Sequence, residues 1–465
     1  MKALVMRLGM WAQPRWMWVI LAMALAARLA GVVWMDLRTD NLKVAFGNLE
    51  TDCPSSEYAT LARNMLAGRG FSQFVVEGYT PDGGVTRSVP AGCGFSIFAV
   101  GGVMRPSAYM PPAYTYFLAG VFWGLGDGAF AFIVVQLVNV ALGAILCLIV
   151  AQLGNLIFGR MVGVLAGILM AGFPTFVFVT TRAHAVNMYV LLNYALLLVL
   201  ISAKPTTRLR NSVFAGVLCG VLALFRAEMF AYVPIIVLWL MISATGIQAV
   251  AKNVLVFVVG LVLVVTPWTV RNYQVFGKLL PITALGGFNL WRGQNEMTTG
   301  SGRGAGAAWS TPEIQQQTIM LPPTDDWEVH RDNIYRNAAL RFMRENPRRV
   351  LALVPRKLFY YWILNTGDSR TRPVIYWLPW FVLLPFFLIG LFASFRYGLR
   401  CSLLWGYLLV ACGLTSVFVV LARYRLFTDP IALLLAALGL YTVFNHSRVR
   451  VKRAQKQPSA ETFAQ

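Results

Sequence analysis

Asn253–Val270 reads NVLVFVVGLVLVVTPWTV, an uninterrupted apolar run with no formal charge. As a helix it would be about 27 Å long, close to the roughly 30 Å hydrocarbon core of a bilayer. Nine further segments have the same character: roughly 16–36, 128–152, 161–180, 186–203, 212–226, 229–246, 374–395, 402–421 and 426–445. The fold expected is therefore an all-α polytopic membrane protein, a bundle of about ten transmembrane helices with mid-span regions nearly free of charge. Composition agrees: 58% of the 465 residues are hydrophobic and 13% charged, against about 45–50% and about 25% in a soluble chain. The stretch Trp16–Trp34 lacks a small-residue cleavage pattern and is expected to remain as the first span.

The formal net charge is +21. In a soluble protein that balance would suggest nucleic acid; here membrane topology is the simpler cause, with binding of a phosphorylated lipid a second contribution. With the N-terminus inside, the inner segments hold Lys2, Arg7, Arg15, Arg160, Lys204, Arg208, Arg210, Lys252, Arg396 and Arg400. The tail adds Arg448, Arg450, Lys452, Arg453 and Lys456, and Glu461 is the lone acid among these segments. Basic residues collect in cytoplasmic loops, so the charge follows from topology. The organisation expected is a cytoplasmic N-terminus (1–15), a first transmembrane helix (16–36), a first outer loop (37–127), transmembrane helices two to seven (128–270), a second outer loop (271–373), transmembrane helices eight to ten (374–445) and a basic cytoplasmic tail (446–465).

Both outer loops carry helix signals. Ser55-Ser56-Glu57-Tyr58 opens a helical run that stops at Gly68, with ordinary cap residues at each end. Residues 91–104 are apolar but too short to span, which fits an interfacial or re-entrant segment. Another helix is expected after Pro111-Pro112, since proline suits a first turn. The second loop begins with Gly300, Gly302, Gly304 and Gly306, a composition that favours flexibility. Helices are expected over 325–344 and 348–364, the latter combining Arg348, Arg349, Arg356 and Lys357 with Tyr360, Tyr361 and Trp362, as membrane-interface helices do. Cys147, Cys219 and Cys412 fall in apolar segments, Cys401 in an inner turn, and Cys53 and Cys93 in the first outer loop. That last pair could form a disulfide in an oxidising compartment.

Charges near a bilayer are costly, so those retained at the outer ends are candidate functional groups. They are Glu50, Asp52 and Glu57 in the first loop, Arg182 and His184 between spans three and four, and Arg226 and Glu228 between spans five and six. Arg271 ends span seven, and Arg423 and Arg425 lie between spans nine and ten. Arginine holds phosphate through forked, charge-assisted bonds, and a carboxylate can take a proton from an attacking hydroxyl. The same arginines could instead snorkel to lipid headgroups, and Arg226 with Glu228 could be a structural ion pair. The three histidines have no ligand spacing, and no Walker loop or dinucleotide fingerprint occurs.

Three stretches go further. The first is Thr266-Pro267-Trp268-Thr269-Val270-Arg271-Asn272-Tyr273, followed by Val275-Phe276-Gly277, Pro281-Ile282-Thr283, Gly286-Gly287-Phe288-Asn289-Leu290-Trp291 and Gly293. The second is Glu57-Tyr58 through Leu61 to Phe71, with Pro111-Pro112 and Tyr114 downstream; the third is Arg423-Tyr424-Arg425-Leu426. Together they resemble the bacterial GT-C glycosyltransferases of the protein-mannosyltransferase-like and aminoarabinose-transferase-like superfamily. The resemblance implies a membrane enzyme of the cytoplasmic (inner) membrane, its active site facing the periplasm or exterior. It would use a polyprenyl-phosphate sugar donor and a lipid, glycan or protein acceptor.

On that resemblance Asp52 is the general base, with Glu50 and Glu57 as alternatives. Tyr58, Arg105, Tyr114, Arg182, His184, Arg226, Glu228, Arg271, Asn289, Arg423 and Arg425 are the substrate-binding candidates. The implied reaction is an inverting hexosyl or pentosyl transfer. The chain departs from the family pattern at Met110, where Lys or Arg often precedes the Pro-Pro pair. It departs again near Val186 and Asn187, where an acidic residue is common, and the segment around 77–104 has the look of an insertion. No cofactor is fixed, and a divalent metal stays open. The rival reading is a lipid-linked-sugar flippase or transporter, for which polar groups deep within the spans would be expected.

Overall fold

The structure is a computed structural model describing residues 15–39, 42, 46, 57–75, 103–302, 311–322 and 324–454. Asp52, Glu50, Cys53, Cys93, the segment 77–102 and Gly304 and Gly306 lie outside the described residues. The chain begins with α1 (Arg15–Arg38). In the first long loop come α2 (Glu57–Leu66), strands β1 (Ser72–Val75) and β2 (Val103–Pro106), and α3 (Pro112–Leu125). The bundle continues with α4 (Ala129–Phe158), α5 (Arg160–Gly172), α6 (Pro174–Thr180), α7 (Val186–Ile201), α8 (Arg208–Phe225), α9 (Val233–Ser243) and α10 (Ile247–Phe276). The second long loop folds into α11 (Gly286–Gly293), α12 (Pro312–Ile319), α13 (Trp327–Glu345) and α14 (Pro347–Trp362). The chain then returns to the bundle as α15 (Val374–Ser394), α16 (Leu399–Val417) and α17 (Asp429–Ala454).

Among the described residues six helices are long and apolar enough to cross a membrane alone. The pair α5–α6 makes a seventh, bent by 53° at its break, and α7, the 227–243 segment and the start of α17 are shorter apolar helices. These ten pieces coincide with the ten apolar segments of the sequence, and the chain is a polytopic all-α membrane protein. Hydropathy sets these positions because a bilayer satisfies no backbone group, so each crossing must be helical. Helix α10 has 30 residues, about 45 Å, so its last turns project beyond an apolar slab. It continues through Arg271 to Phe276, six residues past the point where the apolar run suggested an end, and stops at Gly277, whose φ of 60° is the left-handed cap glycine tolerates. Cys401, expected in a turn, is buried in α16.

Among the described residues of the bundle, three helix pairs are joined where one backbone presses on another. A Cβ at Gly154 would lie 2.8 Å from the Gly163 Cα, one at Gly216 would lie 2.1 Å from the Phe257 carbonyl oxygen, and one at Gly390 would lie 1.8 Å from that of Leu435. These contacts join α4 to α5, α8 to α10 and α15 to α17. Small residues allow such approach in lipid, where packing rather than water exclusion drives helix association.

The two ends of the bundle differ. At one, the Phe158 and Tyr397 rings meet at 4.8 Å and Arg400 donates to the Leu156 carbonyl, bringing the basic turns around 159 and 396–400 together. The other end carries both long loops. Strands β1 and β2 pair antiparallel, with Gln73 opposite Arg105 and Phe74 opposite Met104. Ser301 bridges Val420, with Gly302 N–H donating to the Val420 carbonyl at 2.8 Å. The described start of the glycine-rich segment is thus pinned to the bundle rather than loose. The expectation of nearly uncharged mid-span regions also needs correction: Arg28, in the middle of α1, is fully buried. Sequence reading passed over it because it is one cation in an otherwise apolar run.

Candidate active site

At the loop end, five separate stretches bring charged and aromatic side chains together. From α2 comes Tyr58, whose ring meets Tyr114 of α3 edge-on at 5.2 Å and His184 at 6.3 Å. Helix α2 is held there by its buried face of Ala59, Leu61 and Ala62, and by Arg63, whose Nε lies 2.6 Å from Asp127 Oδ2. Burial, with the Glu57 charge beside it, pushes the Tyr58 phenol up to about 12 despite the opposing field of Arg226. At neutral pH this hydroxyl is a hydrogen-bond donor.

His184 sits half-buried in the turn after α6. Burial and the neighbouring cations Arg226 and Arg370 hold it down to about 4, so its ring is neutral at physiological pH. Its Nδ1 accepts the Val186 backbone N–H at 3.2 Å, which places the ring proton on Nε2. Arg182, two residues earlier, lies over Phe178 and within the field of Asp36 rather than beside His184.

Arg226 is the centre of the cluster. Its guanidinium forks onto Glu228, Nε to Oε1 at 2.7 Å and Nη2 to Oε2 at 3.0 Å. It faces the rings of Phe427 at 4.6 Å, Tyr424 at 5.3 Å and Tyr189 at 5.7 Å. A cation enclosed by aromatic faces keeps its charge without bulk water. Of the two sequence alternatives for Arg226, an ion pair and a substrate contact, the ion pair is formed.

The other candidates divide. Arg425 forms a buried pair with Asp429 at 2.7 Å and lies 3.8 Å from the centre of the Trp380 ring. Arg423 lies over Tyr424. Arg271 donates to the Ser107 carbonyl at 2.8 Å and the Phe71 carbonyl at 3.0 Å, and packs on Phe71, Trp268 and Phe276. In this arrangement it clamps the chain on either side of the small sheet. Arg105 reaches Asp325 at 3.5 Å in a solvent-accessible pair. Asn289 is half-buried on α11, whose first N–H groups, Gly287 and Phe288, both donate to Asp332 at 2.9 Å.

Residues that sequence reasoning left out come from the second long loop. Arg370, whose field reaches both His184 and Arg292, forks onto buried Asp368 through Nε at 3.0 Å and Nη2 at 2.7 Å. Arg292 donates to the Gly302 carbonyl at 2.7 Å and feels Tyr424 and Tyr109; burial lowers its pKa. Glu328, nearly fully buried, accepts from Gln73, from Ser107 Oγ at 2.8 Å and from Ala108 N–H at 2.7 Å. It joins the two loops, and burial raises its pKa. Arg292 follows the Gly286–Trp291 stretch directly, the one signal that could have marked it. Asp368 and Arg370 carry no local signal. Among the described residues no three His, Cys, Asp or Glu side chains are placed to share a metal ion.

Comparison with known proteins gives the same outline. Residues 109–270, about a third of the chain, match the family described as dolichyl-phosphate-mannose-protein mannosyltransferase. Among solved structures, the oligosaccharyltransferase AglB from Archaeoglobus fulgidus, in complex with an inhibitory peptide and a dolichol-phosphate, is similar with a TM-score of 0.52 and 11% identity. The match covers 97% of this chain and 53% of that one. The Archaeoglobus fulgidus oligosaccharyltransferase tethered to an acceptor peptide is similar with a TM-score of 0.53 and 14% identity over 96% and 51%. This chain therefore spans about half the length of those proteins. ArnT from Cupriavidus metallidurans bound to undecaprenyl phosphate is 14% identical over 96% and 81%, with a TM-score of 0.36, too low to weigh in the comparison. No curated protein matches by sequence. The segment 109–270 is thus similar to that mannosyltransferase family, and over nearly its whole length the chain shares its fold with the Archaeoglobus fulgidus oligosaccharyltransferases.

Proposed function

We propose that this protein is a membrane glycosyltransferase that moves a sugar from a polyprenyl-phosphate donor to an acceptor at the outer face of the cytoplasmic membrane. The observation that carries the reading is the meeting of Arg226, Arg292 and Arg370 with Glu57, Glu228 and the donors Tyr58 and His184, at the end opposite the basic turns. The charge asymmetry of the sequence makes that end the outer one. A nucleotide sugar is not readily supplied there, whereas a lipid carrier is. The dolichol-phosphate in the AglB complex is the kind of ligand such an end would take.

In the mechanism, Asp52 removes the proton from an acceptor hydroxyl. The oxygen attacks the sugar C1 from the face opposite the lipid phosphate, the C1–O bond to the phosphate breaks, and configuration inverts. Glu50 or Glu57 would take the base role if Asp52 does not. Negative charge grows on the phosphate as that bond breaks, and arginines already oriented by carboxylates stabilise it without reorganising. Arg226 and Arg370, each forked onto a carboxylate, take this role together with Arg292, held by the Gly302 carbonyl, and Arg182, Arg271, Arg423 and Arg425 are the further candidates. Neutral His184, presenting Nε2–H, and the un-ionised Tyr58 hydroxyl supply hydrogen bonds without adding charge.

The test is transfer by purified protein from a labelled polyprenyl-phosphate sugar in detergent, where no gradient can drive transport. Asp52→Asn should lose transfer by about 100-fold or more, the range expected of a general base. Full transfer in that variant removes Asp52 from the mechanism. Lipid-linked sugar scrambling in vesicles without any transfer would favour the flippase reading.

A further inference from the structure

We propose that Arg28 is a positioning residue for the candidate site, acting from the middle of the bundle by holding the broken helix that delivers Arg182 and His184. Its side chain is fully buried in the apolar interior of α1, where an unpaired cation would be costly. Nη1 donates to the Ala24 carbonyl of its own helix and to the Ala171 carbonyl, both at 3.2 Å, and Nη2 reaches the Met170 carbonyl at 3.5 Å.

Met170 and Ala171 are not arbitrary partners. They lie in the last turn of α5, next to its break from α6. In a continuous helix the Met170 carbonyl would accept from the N–H of residue 174, but that residue is proline and has none. Proline also drives the residue before it out of the helical region, and Phe173 is extended, with φ −71° and ψ 117°. Pro174 therefore opens the helix and removes a donor at once. The guanidinium takes the carbonyls left behind, at a helix C-terminus that carries about half a negative charge. A slot is built for it: a Cβ at Gly143 of α4 would lie 2.4 Å from Arg28 Nε.

The far end of α6 is tied to the same neighbours. Gln136 of α4 donates both to Asp36 of α1 at 3.0 Å and to the Thr181 carbonyl at 3.1 Å, and Asn139 donates to the Arg182 carbonyl at 2.9 Å. α1 and α4 thus hold α6 at its break and at its tip. The 53° bend decides where the tip, with His184 beyond it, arrives.

The test uses the full chain in nanodiscs, with melting temperature and backbone hydrogen exchange over 181–185 as readouts. The transfer assay rests on the functional proposal above, whereas these two do not. Arg28→Met should lower the melting temperature by several degrees and speed exchange over 181–185 about tenfold or more; Arg28→Lys should recover part of both. Pro174→Ala gives Met170 a donor and lets Phe173 become helical. In the Arg28→Met background it should restore the melting temperature. It should not restore exchange protection or transfer, because α6 then leaves in another direction. If Arg28→Met does not fold while the double variant does, the same conclusion holds. Unchanged melting and exchange in Arg28→Met, or a double variant no more stable than Arg28→Met, overturns the proposal. So does full exchange protection in Pro174→Ala. Wild-type protein without transfer would sink the functional reading, while melting and exchange would still decide the role of Arg28.

Discussion

Arg226 and Glu228 are joined by two parallel hydrogen bonds, although a single residue separates them in the chain. The short helical turn 227–232 between α8 and α9 makes this geometry available. The pair fixes the plane of the guanidinium among three rings, so the cation is oriented before any ligand arrives. Arg226→Lys keeps the charge but loses the fork; transfer should fall about tenfold or more. Arg226→Gln and Glu228→Gln should each destabilise the protein. In a double-mutant cycle followed by thermal unfolding their coupling should be about 0.5–3 kcal/mol. A coupling near zero would mean that the fork does not form in solution.

His184 makes stability depend on pH with a definite sign. Its folded pKa of about 4 lies below the ordinary 6.5, so between these values the unfolded chain binds a proton that the folded chain does not. Stability from this group is complete above 6.5 and declines as pH falls toward 4. Glu328 acts in the opposite sense. Burial raises its pKa above 4.5, so its contribution is greatest in acid and declines as pH rises through the folded value. His184→Asn should flatten the first slope in melting temperature measured between pH 4 and 7. Glu328→Gln should remove only the second.

Glu328 also tests how the loops are joined. Its carboxylate faces three donors from the first long loop, and Glu328→Gln turns an acceptor into a donor facing donors. The expected cost is about 1–3 kcal/mol, the usual penalty for a buried group left unsatisfied. Hydrogen exchange at the Ala108 amide should rise with it.

Arg271 separates clamp from phosphate ligand. If its work is to hold the Ser107 and Phe71 carbonyls, Arg271→Ala should expose residues 69–75 to limited proteolysis. It should also lower kcat while leaving the donor KM within about threefold. A donor KM that rises in proportion to the loss, with the same cleavage pattern as wild type, would assign Arg271 to the phosphate instead.

Much of this architecture was legible in the sequence because the bilayer makes hydropathy decisive. The ten apolar segments, the α2 run from Glu57, the proline start of α3 and both helices of the second loop fall where composition and caps place them. Arg28 was not legible, since its partners are carbonyls 142 and 143 residues away that become acceptors only once Pro174 breaks the helix. Of the candidate site, His184, Arg226 and Glu228 were named from their place at span ends and Tyr58 from the family resemblance, and the four do meet. Arg292, Glu328 and Arg370 were not, because their neighbours are set by the folding of the second long loop, where no periodicity reports tertiary contact. Gly300 and Gly302 misled for a related reason: a glycine that allows flexibility also allows close approach, and Gly302 lies against Val419 and Leu421.

The glycine-joined helix pairs divide the bundle mechanically. Because backbone rests on backbone in α4–α5, α8–α10 and α15–α17, each pair behaves as one stiff stave, and relative motion is confined to the seams between staves. The cluster draws His184 from beyond the first stave, Arg226 from the tip of the second and Tyr424 from the turn leading into the third. It therefore straddles the seams. A small rocking of one stave against another would change the spacing between these groups while leaving every helix intact.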